Sequence, residues 1–253
     1  MPIPHPYLDT GAPVPIAHRG GAGTWPENTM PAFQGAVDLG FQYVETDVHA
    51  TADGVLVAFH DNQLDRVTDR VGKISELAWS DVQKALVDGR EPIPRFAELM
   101  QSFPNLKVNI DPKSNSAVQP LIRELKQLQA LDRVCVGAFS DSRLRKFHEE
   151  FGQEICLSMG PLEVVAARLS SWGLPKSSFR ARAAQVQTHL YLLLVVIIDW
   201  YHIRKNWLGC VCDIAPLAEP KGDESRCYYT SRDTKLLWKL VDRQKEDTRT
   251  EEQ

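Results

Sequence analysis

The sequence predicts an α/β fold with a parallel sheet, at the size of a single β/α barrel. Strand-like and helix-like stretches alternate from residue 14 to 187, the order that a parallel sheet with crossover helices requires. The chain has 253 residues, close to the usual length of one β/α barrel. Hydrophobic content of 43% and charged content of 25% are ordinary for a globular protein with a sizeable core.

Val14–His18 reads as the first strand, running out into Gly20-Gly21. Pro26-Glu27-Asn28-Thr29 opens a helix, and Phe33, Ala36 and Val37 give it an apolar face before a stop at Gly40. Tyr43–His49 is apolar and β-branched enough for a second strand. Its successive side chains alternate faces, so Glu45 and Asp47 share one. Asp53-Gly54 signals a tight turn, and Val55–His60 returns as a hairpin arm. A two-residue turn pairs Ala52 with Val55 and therefore Asp47 with His60. A helix near Ser80–Leu86, with Ser80 as N-cap, and a short helix at Phe96–Met100 follow. In Leu106–Asp111, Leu106, Val108 and Ile110 take one face and Lys107, Asn109 and Asp111 the other. Val118, Leu121, Ile122, Leu125 and Leu128 form a stripe at helical period. Strands at Val134–Phe139 and Ile155–Ser158, helices at Asp141–Phe151 and from Pro161 to Trp172, and a short strand at Ala183–Val186 complete the regular part. The six candidate barrel strands are 14–18, 43–48, 106–111, 133–139, 154–158 and 183–187.

Charge and cysteines exclude several classes. A net charge of -4 gives no support for nucleic-acid binding, which favours a basic patch. The five cysteines are scattered. Only Cys210 and Cys212 are close, and one spacer residue without a nearby histidine is a poor zinc pattern. Reduced thiols in a cytoplasmic protein is the expected reading. Met1–Pro6 has no charged or apolar signal region. The apolar run Leu190–Ile198 has nine residues, whereas a membrane span needs about 20, so no transmembrane segment is expected.

The chemistry gathers in Ala17–Asp61. Alternate strand carboxylates such as Glu45 and Asp47 can aim at one hard cation, although alone such a pair is usually an exposed strand face. His18 and His60 titrate near neutral pH, so one can accept a proton while the other donates. Arg19 offers a planar fork to phosphate oxygens and Lys113 a point charge. Asp61 either orients a histidine or caps the next turn, and His49 reads as a rim residue.

His18-Arg19-Gly20, Pro26-Glu27-Asn28-Thr29, Glu45-x-Asp47, Asp53-Gly54, His60-Asp61 and Gly72-Lys73-Ile74 follow the order seen in glycerophosphodiester phosphodiesterases. The chain resembles that family over about residues 14–187. The resemblance implies a TIM-like β/α barrel, a divalent cation (calcium or magnesium) and hydrolysis of small glycerophosphodiesters to glycerol 3-phosphate and an alcohol. It implies Glu45, Asp47 and Asp111 as metal ligands, with aspartate at 111 where the family commonly has glutamate. His18 and His60 become the acid–base pair, Arg19 and Lys113 the phosphate holders, and Glu27 a supporting residue. A lysophospholipid substrate, or a non-catalytic remnant, are the alternatives.

The resemblance stops near Gln187. Residues 1–187 are therefore read as the barrel region and 188–253 as an unassigned segment ending in a disordered charged tail from Val241. The family's two closing motifs are not found there, which suggests a shifted reading frame or a replaced end. Leu190–Ile198 and Leu208–Ile214 are apolar enough to be the last two strands. No tight turn or helical stripe links them as a crossover would require, so closure by those runs is disfavoured.

Overall fold

A computed structural model of the chain describes residues 5–9, 14–171, 179–186, 210–213 and 227–231. Strand β1 (Val14–Ala17) leads through a tight turn to α1 (Met30–Asp38), β2 (Tyr43–Ala50) and β3 (Leu56–Ala58). Then come α2 (Trp79–Val82), a small ribbon of β4 (Leu86–Val87) and β5 (Glu91–Pro92), and α3 (Phe96–Ser102). The regular alternation resumes with β6 (Lys107–Pro112), α4 (Asn115–Leu128), β7 (Val134–Val136), α5 (Asp141–Phe151), β8 (Cys156–Leu157), α6 (Pro161–Ser171) and β9 (Ala184–Val186). Strands β10 (Cys210–Asp213) and β11 (Cys227–Ser231) complete the described elements.

The sheet runs β8-β7-β6-β2-β1-β11-β10-β9, every neighbour parallel. These are the eight strand places of a β/α barrel. The two ends of the run, β8 and β9, are not joined by a ladder. They meet at one parallel bridge between Ser158 and Ala183, where the Met159 N–H donates to the Ala183 carbonyl at 2.8 Å. The ring is thus loosest at that seam.

The last two places differ from the sequence expectation. Strand β10 falls inside the apolar run 208–214, but β11 lies in 227–231, a stretch without family likeness. It pairs with both β10 and β1. Leu190–Ile198 and the charged tail lie outside the described residues.

Side chains of the strands sort by parity, as the pleat demands. Ala17, Val44, Val108, Ile110, Val134 and Val136 pack outward against the helices. Ile16, Tyr43, Cys135 and Cys156 point inward and are plugged by Tyr7 and Leu8 from the chain start. Glu45, Asp47, Asn109 and Asp111 share that inward parity, further along β2 and β6. The polar face read in Leu106–Asp111 is therefore the barrel interior.

Residues 56–94 form an excursion from the end of β2 with its own small core, including Val57, Phe59, Leu64, Ile74 and Ile93. Its hairpin register is one residue away from the sequence expectation. Val48 faces Ala58, so Asp47 lies opposite Phe59, whose N–H donates to the Asp47 carbonyl at 2.9 Å. The turn is wider than Asp53-Gly54 alone suggests. The Thr51 hydroxyl accepts the Val55 N–H at 2.9 Å and leaves three residues in the loop, with Gly54 at φ +82°. Ser80 is not the N-cap of α2 either. The helix starts after Ala78, and the Trp79 N–H is taken by Asp53 Oδ1 at 2.9 Å. No described helix is long and apolar enough to cross a membrane.

Candidate active site

Four chain segments converge at the carboxyl ends of β1, β2 and β6, the rim where β/α barrels carry their chemistry. The first is the turn after β1. Arg19 sits there at φ +49°, a strained conformation for a side-chain-bearing residue, and Gly20 follows at φ +74°. A Cβ on Gly20 would lie 2.8 Å from Phe33, so the close approach of this turn to α1 needs glycine. The strained turn aims the Arg19 N–H at Glu45 Oε2, 3.0 Å away. His18 Nε2 lies 3.8 Å from the same oxygen.

The second segment is the start of α1. Thr29 caps it, its hydroxyl accepting the Ala32 N–H at 3.4 Å. Glu27 accepts Arg19 Nη1 on both oxygens at 3.1 Å. Asn28, buried at φ +55°, takes the Thr46 hydroxyl on Oδ1 at 2.8 Å and sends Nδ2 to Asp47 Oδ2 at 3.5 Å. The sequence reading quoted Asn28 within a motif but gave it no role.

Strands β2 and β6 are the third segment. Their parallel register sets Asp47 directly beside Asp111, and Glu45 beside Asn109. Lys113 lies just past β6, and its ammonium bridges Asp47 Oδ1 and Asp111 Oδ2, each at 2.7 Å. Arg19 Nε lies 3.4 Å from Asp47 Oδ2. Burial, then the neighbouring Asp47, pushes the Glu45 carboxyl well above its ordinary value. Burial raises Asp111 as well. On Lys113, burial opposes the charge, but Asp47 and Asp111 outweigh it and hold the ammonium more firmly protonated than usual.

The excursion after β3 is the fourth. His60 Nδ1 lies 2.5 Å from Asp61 Oδ1, so Asp61 orients a histidine, one of its two sequence readings. His49 is buried rather than at the rim, and its Nε2 meets the His60 carbonyl at 3.1 Å. Burial lowers the His49 pKa, and facing a carbonyl oxygen its Nε2 can only donate. Arg66, which the sequence reading passed over, reaches both Asp61 and Glu27. A cavity of about 540 Å³ opens beside these groups, lined by His60, Asp61, Arg66 and Lys113 among others. That size suits a small ligand.

Glu45, Asp47 and Asp111 offer the hard oxygen donors that calcium or magnesium takes. Burial, first of all, raises both Glu45 and Asp111, and a cation beside these buried carboxyls would favour their charged forms, so the donor chemistry fits a divalent cation. As the side chains stand, no three such groups among the described residues converge tightly enough to ligate one ion. The Lys113 ammonium holds the place between Asp47 and Asp111.

The glycerophosphoryl diester phosphodiesterase family matches residues 18–153, more than half of the chain. A Mycobacterium tuberculosis protein named "Probable glycerophosphodiester phosphodiesterase 2" is 38% identical over 155 residues, covering 61% of this chain and 59% of that protein. A human lysophospholipase D is 38% identical over 126 residues, 45% of this chain and 40% of that one. The chain thus spans about three fifths and two fifths of these relatives' own lengths. Among solved structures, an Oleispira antarctica phosphodiesterase in complex with the product sn-glycerol-3-phosphate superposes with a TM-score of 0.68 at 19% identity, covering 91% of this chain and 97% of that one. At that identity the likeness speaks for the fold.

Proposed function

This chain belongs to the glycerophosphodiester phosphodiesterase family, and from that premise we propose that it hydrolyses small glycerophosphodiesters to glycerol 3-phosphate and an alcohol. The observation that carries the reading is the inward carboxylate pair Asp47–Asp111, bridged by Lys113 at the mouth of the cavity. It puts cation-binding oxygens and a phosphate-binding ammonium within one side chain's reach of each other.

Glu45, Asp47 and Asp111 would hold a divalent cation, calcium or magnesium, which would supply neutralisation of phosphate charge and polarisation of the attacking hydroxyl. Lys113 then exchanges its carboxylates for a phosphate oxygen, and Arg19 holds the diester from the β1 turn, kept in place by Glu27. His60 is the general base and His18 the general acid. His60 takes the proton of the attacking hydroxyl as its oxygen bonds to phosphorus; attack by water gives glycerol 3-phosphate directly, whereas attack by the substrate's own glycerol gives a cyclic phosphate that a water molecule then opens. His18 gives a proton to the alcohol oxygen as the P–O bond to it breaks. A cytoplasmic setting belongs to this reading, supported by the buried reduced Cys135 and Cys156.

The human relative's name favours a second substrate class, lysophospholipids, on the same residues. The strands filling the last two places weigh against a remnant unable to close. Assays of glycerophosphocholine and lysophosphatidylcholine side by side test the reading. Glycerol 3-phosphate release from the first, at the higher kcat/KM, is expected. Turnover of the lysophospholipid alone would replace it, and turnover of neither would refute catalysis.

A further inference from the structure

Arg66 touches neither histidine, yet it holds both sides of the site. It stands in the excursion, about half exposed at the cavity wall. Its Nε donates to Asp61 Oδ2. Its Nη2 donates to Glu27 Oε1 at 2.5 Å and its Nη1 to Glu27 Oε2 at 3.4 Å. The second oxygen of Asp61 meets His60 Nδ1 at 2.5 Å, and both oxygens of Glu27 take Arg19 Nη1 at 3.1 Å. An unbroken line of contacts therefore runs Arg19–Glu27–Arg66–Asp61–His60. The planar fork serves these two carboxylates from three separate nitrogens in one fixed plane, a geometry that the single nitrogen of an ammonium does not reproduce.

We propose that Arg66 is a positioning residue: it fixes Asp61 so that His60 stays in the Nδ1–H tautomer, and it ties that histidine to the Arg19 side of the site through Glu27. The inference rests on the reading of His60 as the proton-transferring base. An ionised carboxylate can only accept, so the short Asp61 contact places the proton on Nδ1 and leaves Nε2 for exchange. Both carboxylates are held ionised. Burial raises Glu27 and Asp61, but Arg66 and their other partners outweigh it and bring both below their ordinary values. The other groups around His60 are His49, which meets its carbonyl, and Lys113 and Asp65 at the cavity. Among the described residues the hydrogen-bond partner of the imidazole Nδ1 is Asp61, so its tautomer falls to that carboxylate.

The test uses the full chain with Arg66→Gln, Arg66→Lys, Asp61→Asn and the double variant Arg66→Gln/Asp61→Asn. Nitrogen-15 NMR of the imidazoles reads the tautomer without any need for activity. His60 should be Nδ1–H in the unmodified protein and a mixture in Arg66→Gln. With glycerophosphocholine, Arg66→Gln should lower kcat about 10-fold or more, the scale of outer-shell partners, with KM within about twofold. Arg66→Lys should fall between. The double variant should be no slower than Asp61→Asn alone. An unchanged tautomer, a raised KM with kcat kept, or losses that multiply in the double variant would overturn the proposal. If the protein hydrolyses no phosphodiester, the proposed function fails on that ground, and the tautomer still decides the role of Arg66. Thermal unfolding of each variant shows that the fold is kept, and Arg66→Lys preserves the charge should the glutamine variant lose it.

Discussion

His18 and His60 reach the site by different routes. One ends β1 in a strained turn held to Glu45, and the other rides on an excursion held by His49 and Asp61. If they are the acid and base, His18→Ala and His60→Ala should each lower kcat by at least ~100-fold, the usual scale for a positioned acid or base. Melting temperatures should stay near that of the unmodified protein. An unchanged rate in either removes that histidine from the mechanism. The residues that announced themselves in the sequence did so by type and spacing. Carboxylates two apart on a strand must share a face, and Glu45 and Asp47 do. Asn28, His49 and Arg66 were silent for the opposite reason. Each acts through partners distant in sequence: Asn28 through Thr46 and Asp47, His49 through the His60 backbone, Arg66 through Glu27. The sole hint was that Asn28 and Glu27 stand in one motif.

At the scale of elements, the existence of β1, β2 and β6 to β9 was legible and register was not. Hydrophobic alternation located β2 and β6, but it cannot count loop residues. A wider turn at Thr51–Val55 moved the hairpin by one place and left His60 past the ladder, where His49 secures it instead. The contact between α3 and α4 carries a pH dependence that no sequence pattern marks. Glu124 of α4 packs by the first turn of α3, near Arg95 and Ala97, with Oε2 buried and without a hydrogen bond. Burial outweighs both nearby arginines and pushes its carboxyl up from 4.5 to about 7. Between those two values the folded chain keeps a proton that the unfolded chain loses. Stability should therefore fall as pH rises through this window and then level off. Glu124→Gln removes the effect, so the variant should melt higher than the unmodified protein at pH 8 and together with it at pH 4. Equal melting at both would show that the carboxyl is solvated.

Among the described residues the main sheet is a run of eight parallel strands that is not a closed barrel: β11 covers the free edge of β1, and the ends of the run meet at the isolated bridge between Ser158 and Ala183. The six barrel strands among β1–β9 were readable as apolar or alternating runs, most of them followed by a helical stripe and β2 by an Asp-Gly turn. The last two were not. Strand β10 lay in a run recognisable only as apolar, and β11 holds Tyr228, Tyr229 and Thr230 in a stretch that carries no motif. Every assigned side chain comes from the turn after β1, the start of α1, β2, the end of β6 and the excursion, so the late strands serve the site by holding β1 in the sheet. The account as a whole stands on one claim: the inward carboxylates Glu45, Asp47 and Asp111 make a cation-dependent phosphodiesterase. The most direct test measures glycerol 3-phosphate released from glycerophosphocholine by the unmodified chain and by Asp47→Asn, in excess chelator and after calcium or magnesium is returned. The account predicts no release in chelator, recovery in the unmodified chain alone, and none from Asp47→Asn in either state. Full release in chelator, or an Asp47→Asn variant as active as its parent, would contradict it.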